Sequence, residues 1–196
     1  MKTDLRKQMR AIMAAIPPEQ REVRSRTACS QVASLPEFRR AGMVLLFLSM
    51  PTEIDTTPLL LRCWTEGKSV CVPRVDWDTR RMDLIEIRSL DTGLSDRGIP
   101  GLREPVAGTP VSLDMINFAV IPGMAFDRRG YRLGRGKGFY DRLLARPDFA
   151  GMRCGFGYDE QLLPEIAIEP HDMPMQMIVT DARIVRVSVA TGAHRH

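Results

Sequence analysis

Residues 43–55 read MVLLFLSMPTEID, six apolar residues in succession followed by a short polar loop that carries Glu53 and Asp55. An unbroken apolar run of strand length marks a strand covered on both faces, as in parallel sheets layered with helices. The flanking segments agree. Downstream, Thr57-Pro58 offers an N-cap and a first-turn proline for a helix that stops near Gly67, and residues 69–72 form a second strand. Upstream, Leu5, Met9, Ile12 and Ile16 recur at helical spacing until Pro17-Pro18, with Lys2, Arg6, Lys7 and Arg10 on the polar side. A second helix runs from Pro18 to about Ser34 and breaks at Leu35-Pro36.

Beyond these, residues 82–87 alternate as an edge strand does, and residues 91–111 have no period and read as a long irregular connection. Residues 118–121 (FAVI) are another buried strand, residues 137–145 suit a helix, and residues 152–158, 177–179 and 184–189 are further strand candidates. Strands alternating with helices predict one α/β domain over residues 1–196, with a mainly parallel sheet, helices on both faces and a disordered tail from about residue 190. In such folds ligands sit beyond the carboxyl ends of the strands. Three loops end there: residues 49–55, the block after Ile121, and the segment after Tyr158.

The block after Ile121 contains GYRLGRGKGFYD, residues 130–141. Gly134, Gly136 and Gly138 alternate with Arg135 and Lys137 and lead to Asp141. Glycines let successive backbone N–H groups turn toward one anion, the arginine and lysine add fixed positive charge, and Asp141 suits a divalent metal that bridges phosphate oxygens. The pattern is not a Walker A loop, which needs a glycine at position 131 and a hydroxyl residue after the lysine, where this chain has Tyr131 and Gly138. A basic loop of the Arg-Gly kind that touches RNA is the alternative; a single short block between apolar flanks argues against it.

With 44% apolar and 27% charged residues the chain has the composition of a globular protein. Its net charge of +4 is unevenly placed, concentrated in residues 1–40 and 127–142, which points to a polyanionic small ligand or nucleic acid, with a solvated helix face as the alternative for the first region. Cys29, Cys63, Cys71 and Cys154 form no C-x-x-C pair and read as reduced thiols of a cytoplasmic protein. No apolar run approaches a membrane span, and the N-terminal residues lack the core of a signal peptide. Four candidate residues remain open on these grounds alone. Glu53 reads equally as an acceptor for ligand N–H groups and as a solvent-facing loop acid. Lys2 and Arg6 read as phosphate ligands or as a solvated helix face. Asp172 reads as a second metal ligand beside Asp141 or as a turn residue.

The block GYRLGRGKGFYDRLL, the preceding FAVIPGMAFD, the opening KTDLR, the segment LFLSMPTEID and the late EPHDMP with IVTD together closely resemble the 5-formyltetrahydrofolate cyclo-ligase family over residues 2–181. The resemblance implies a Rossmann-like three-layer α/β domain akin to the sugar-phosphate isomerase and CoA-transferase group. It also implies ATP-dependent closure of 5-formyltetrahydrofolate to 5,10-methenyltetrahydrofolate, with ATP and Mg2+. Carried onto this chain, it assigns Lys2 and Arg6 to the N-terminal ATP segment and Leu48 and Glu53 to folate contacts. Arg132, Gly134, Arg135, Gly136, Lys137, Gly138, Phe139 and Tyr140 match the ATP loop, within which Arg135 and Phe139 also border the folate, as does Arg6. Asp141 and Asp172 match magnesium ligands, and the catalytic set is Arg135, Lys137 and Glu53.

Phe139 stands where the family commonly has tyrosine, and Gln176 where an acid is frequent. The expected partners are 5-formyltetrahydrofolate, with or without a polyglutamate tail, and neither nucleic acid nor a membrane; the expected assembly is a monomer or weak homo-oligomer. The alternative is a non-catalytic folate- or phospho-metabolite-binding protein on the same fold.

Overall fold

Val44 and Leu46 face one side of the first strand and Leu45 the other, and all three are fully buried, so both faces of this strand are covered. They belong to a computed structural model that describes residues 2–96 and 101–187; the tail expected to be disordered from about residue 190 lies outside the described residues. The helices are α1 (Lys2–Ala15), α2 (Pro18–Ser34), α3 (Pro36–Arg40), α4 (Thr57–Thr65) and α5 (Phe139–Leu144). The strands are β1 (Met43–Leu45), β2 (Ser69–Asp76), β3 (Arg81–Ile87), β4 (Leu94–Asp96), β5 (Arg103–Pro105) and β6 (Phe118–Pro122). The second half adds β7 (Ala125–Asp127), β8 (Arg132–Leu133), β9 (Met152–Phe156), β10 (Leu162–Leu163), β11 (Met177–Val179) and β12 (Ile184–Arg186).

Seven strands form the central sheet in the order β12-β11-β9-β6-β1-β2-β3. The five inner strands are parallel and the edges β3 and β12 are antiparallel, which is the mainly parallel sheet expected. The register pairs Met43 with Ser69 and Val44 with Phe118, so the apolar runs that were legible in the sequence lie side by side. One face, with Val44, Leu46, Val70, Phe118 and Val120, packs on α2, α3 and α4 through Val32, Phe38, Leu59 and Leu60. The other face, with Leu45, Ala119, Ile121 and Ile178, meets α5 through Leu143 and Leu144 and also Phe126 of the small sheet β10-β7-β8. Helices therefore flank both faces unequally, because the chain after β6 spends its length on the glycine block and retains only six residues of helix there.

Local departures from expectation have local causes. The ladder of β1 ends at Leu45, although burial continues to Leu48 and Leu46 N–H still bonds the Cys71 carbonyl at 3.0 Å. The residue flanking α4 is Thr56 rather than Thr57: its hydroxyl donates to the Phe47 carbonyl at 2.6 Å, and Asp55 Oδ1 takes the Thr57 N–H at 2.9 Å. The segment expected to be an irregular connection contains the antiparallel pair β4–β5, of which β5 lies against β2. Finally, α5 starts at Phe139 after Gly138, whose left-handed conformation (φ 65°) favours glycine, so Lys137 stays in the loop.

Candidate active site

The chain leaves β1 toward β2 on one side of the sheet and later returns to place β6 on the other side of β1. A reversal of this kind opens a crevice at the carboxyl ends of the two strands. Here it is a cavity of about 250 Å³, bordered by Leu48 and Glu53 after β1 and by Pro122 and Gly123 after β6. The glycine block forms one side, α1 contributes Lys2 and Arg6, and the segment after Tyr158 contributes Glu169, His171 and Asp172. The three loops expected to converge do so, and the polar face of α1 closes over them.

Charges in the cavity are paired across long stretches of sequence. Lys2 Nζ lies 3.2 Å from Asp172 Oδ2 and 3.3 Å from Glu169 Oε2. Arg6 Nε donates to the Gly134 carbonyl at 2.9 Å, and the Arg6 guanidinium passes 3.4 Å from where a side chain on Gly136 would begin. Gly136 also has φ 100°, so the position favours glycine on both counts. Arg135 Nη2 donates to Glu53 Oε1 at 2.6 Å, while Glu53 Oε2 takes the Met50 N–H at 3.0 Å. Arg132 is buried, with Nη2 2.8 Å from Asp141 Oδ1 and its guanidinium 5.6 Å from the centre of the Tyr140 ring. Burial pulls the Arg132 guanidinium below its ordinary pKa, with Asp141, Tyr140 and Asp172 opposing that shift. Burial likewise pushes the Tyr140 hydroxyl up, so it stays protonated at neutral pH.

Glu169, His171 and Asp172 place ligand atoms within 4.8 Å of one another. Lys137 is exposed, and its ammonium has no hydrogen-bond or ion-pair partner among the described residues. A pocket that presents loop amides, an unengaged lysine and carboxylates side by side has the donor set for a metal-bound polyphosphate. Its remaining wall is apolar and aromatic.

A model of the 5-formyltetrahydrofolate cyclo-ligase family matches residues 1–181. The chain belongs to that family. It is 27% identical to the 5-formyltetrahydrofolate cyclo-ligase of Mus musculus, over 91% of this chain and 92% of the other, and 28% identical to that of Escherichia coli K12, over 87% and 94%. It is also similar to the NMR structure of the Aquifex aeolicus 5,10-methenyltetrahydrofolate synthetase, with TM-score 0.83, 33% identity and coverage of 100% of this chain and 99% of that one. The Mycoplasma pneumoniae 5,10-methenyltetrahydrofolate synthetase, at 21% identity and TM-score 0.75 over 92% and 98%, shares the fold.

In this cyclo-ligase family member, all the residues singled out from the sequence border one cavity: Lys2, Arg6, Leu48, Glu53, the block from Arg132 to Asp141, and Asp172. Sequence reasoning missed the opposite wall, made by Pro73, Val75 and Trp77 of the β2–β3 hairpin with Leu102 and Glu104 beside them. Trp77 meets Phe139 edge to face, ring centres 5.3 Å apart. A tryptophan in a charged turn, WDTRR, was the one available signal for this wall. Among the described residues no helix is long and apolar enough to cross a membrane.

Proposed function

We propose that the chain converts 5-formyltetrahydrofolate to 5,10-methenyltetrahydrofolate while ATP becomes ADP and phosphate. The observation that carries this reading is that one cavity is lined by two kinds of chemistry. Lys2, Arg6, Lys137, Asp141 and Asp172 with the glycines of the block suit a metal-bound triphosphate, while Leu48, Trp77 and Phe139, with the Glu53–Arg135 pair, suit a flat heterocycle that carries N–H donors. A formyl group and a γ-phosphate that meet in this cavity are what the reaction requires.

A formamide oxygen is a poor leaving group. Its attack on the γ-phosphorus, with ADP departing, gives an imidate phosphate; N10 then attacks the formyl carbon, the carbon–oxygen bond breaks, phosphate leaves and N10 loses its proton. Phosphoryl transfer relies on positioning and charge neutralisation. Lys137 and Arg135 supply that charge, and Glu53 holds Arg135 on the folate side. The amides around Gly134, Gly136 and Gly138, with Arg132 and Tyr140 behind them, cradle the phosphates. The steps call for no covalent nucleophile.

Asp141 and Asp172 fit a magnesium ion, since both are hard oxygen donors and each keeps one oxygen, Asp141 Oδ2 and Asp172 Oδ1, without a protein hydrogen bond among the described residues. Bound there, magnesium would neutralise phosphate oxygens. The reading extends to substrate with or without a polyglutamate tail, to a cytoplasmic monomer or weak oligomer, and to no nucleic-acid partner.

The test is purified protein with 5-formyltetrahydrofolate, ATP and magnesium, followed by the near-ultraviolet absorbance of the methenyl product. Folded protein that binds folate without turnover would instead make it a binding protein on this fold.

A further inference from the structure

Among the described residues five carboxylates line the cavity, and four have a cation within 4.0 Å: Glu53 has Arg135, Asp141 has Arg132, and Glu169 and Asp172 share Lys2. Glu104, on β5, has none among the described residues and is only 2% exposed. Its Oε1 accepts the Val75 N–H at 2.9 Å, and its Oε2 has no hydrogen-bond partner among the described residues. Arg103 precedes it in the chain and makes no ion pair with it. The neighbouring wall residues Pro73, Val75, Trp77 and Leu102 are apolar, and Arg103, which also lines the cavity, does not come within 4.0 Å of the Glu104 carboxylate. Oε2 is not among the fully buried unpartnered atoms, so the oxygen that lacks a partner is the one that opens to the cavity, and such a group is expected where a ligand supplies the missing donors.

We propose that Glu104 receives the 2-amino and N3–H donors of the folate's pterin and so determines specificity for the substrate. The proposal rests on the function given above and adds a residue to it. A pterin presents these two donors side by side, a match for the two oxygens of a carboxylate, and Oε1 keeps a lone pair after bonding Val75. Adenine, the other heterocycle in the reaction, sets its amino group beside N1, an acceptor that a carboxylate repels. Glu53 differs in that its charge is already balanced by Arg135 and both of its oxygens have a partner, whereas Glu104 lacks a cation and leaves Oε2 unpartnered among the described residues.

Glu104→Gln tests the assignment, since the amide keeps the side-chain volume and an acceptor for Val75 while placing an NH2 against the pterin edge. The KM for 5-formyltetrahydrofolate should rise on the order of 10–100-fold, as expected for a lost hydrogen bond to a charged group, with the KM for ATP and the Tm little changed. A substrate analogue without the 2-amino group should bind the wild-type protein about tenfold more weakly than the parent compound, yet bind the variant nearly as well as the parent does. That comparison has a wild-type arm that needs no variant to fold. Three results would overturn the proposal: an unchanged folate KM, equal rises in both KM values with a lowered Tm, as for a mere strut of β2, or the same analogue penalty in both proteins. Wild-type turnover reports separately on the reaction itself; should there be none, calorimetric binding of 5-formyltetrahydrofolate to the two proteins gives the same comparison.

Discussion

Arg132 and Asp141 form a 2.8 Å ion pair in which the arginine side chain is 3% exposed and the aspartate 14%. The Arg132 Nε is buried without a hydrogen-bond partner, so Asp141 is the group that compensates most of this buried charge. Removing one partner of a buried pair leaves the other uncompensated, whereas replacing both with apolar residues can be nearly neutral. Asp141→Ala should therefore destabilise the fold by about 3–5 kcal/mol, and the double variant Arg132→Met, Asp141→Leu should recover most of that loss. Neither should turn over. Urea unfolding measures the first two statements; a double variant no more stable than the single one would show that the pair itself holds the fold.

Lys137 gives the opposite signature. It sits exposed in the glycine block with an unengaged ammonium, so its loss removes nothing from the folded state. Lys137→Ala should leave the Tm within the small range typical of surface substitutions, while kcat/KM for ATP falls on the order of 100-fold. An unaltered rate would remove Lys137 from the phosphate-handling set.

The parts of this site that were legible in the sequence are those whose signal is local. The run at 43–48 is apolar without interruption because the strand is covered on both faces, and the alternating glycines announce a loop that approaches an anion. The pairs Arg135 with Glu53 and Lys2 with Asp172 span 82 and 170 positions, and no spacing rule reaches that far. For the same reason Glu53, Lys2, Arg6 and Asp172 stayed open on residue pattern alone, where only the resemblance to a family assigned them roles; the fold brings all four to one cavity. The part of the wall on β5 was missed because a strand of three residues is too short to show a period, and Glu104 between Arg103 and Pro105 looks like any surface acid.

Arg21 ties the end of α1 to the loop that carries Glu53. From α2 its Nη2 donates to the Met13 and Ala14 carbonyls at the end of α1, at 3.3 and 2.9 Å, and its Nη1 to the Pro51 carbonyl at 3.1 Å. Ser25 and Tyr158 hold the same loop through the Asp55 N–H at 2.9 Å and the Glu53 carbonyl at 3.2 Å. Arg21→Ala should cost about 1–3 kcal/mol of stability and speed amide exchange in residues 49–55 more than in the sheet. The KM for folate should rise with it, because Glu53 rides on that loop. Exchange that is faster everywhere alike would mean that Arg21 contributes only to global stability.

The four buried thiols set an alkaline limit on stability. Burial pushes Cys29, Cys63 and Cys71 from 9.0 up to about 12 and raises Cys154 as well. With the folded pKa above the unfolded one, the unfolded chain loses these protons first, so the number of bound protons is larger in the native state above pH 9. Stability from this source is complete below about pH 9 and declines as pH rises toward 12, by about 1.4 kcal/mol per pH unit for each thiol. Urea midpoints should accordingly be level from pH 7 to 8.5 and fall beyond pH 9. Cys71→Ala should fall less steeply by one proton's worth, whatever constant offset the lost packing adds. At pH 8 the native thiols should resist alkylation until urea unfolds the chain, since the reactive thiolate is absent; rapid labelling of folded protein, or a slope unaffected by Cys71→Ala, would contradict this account.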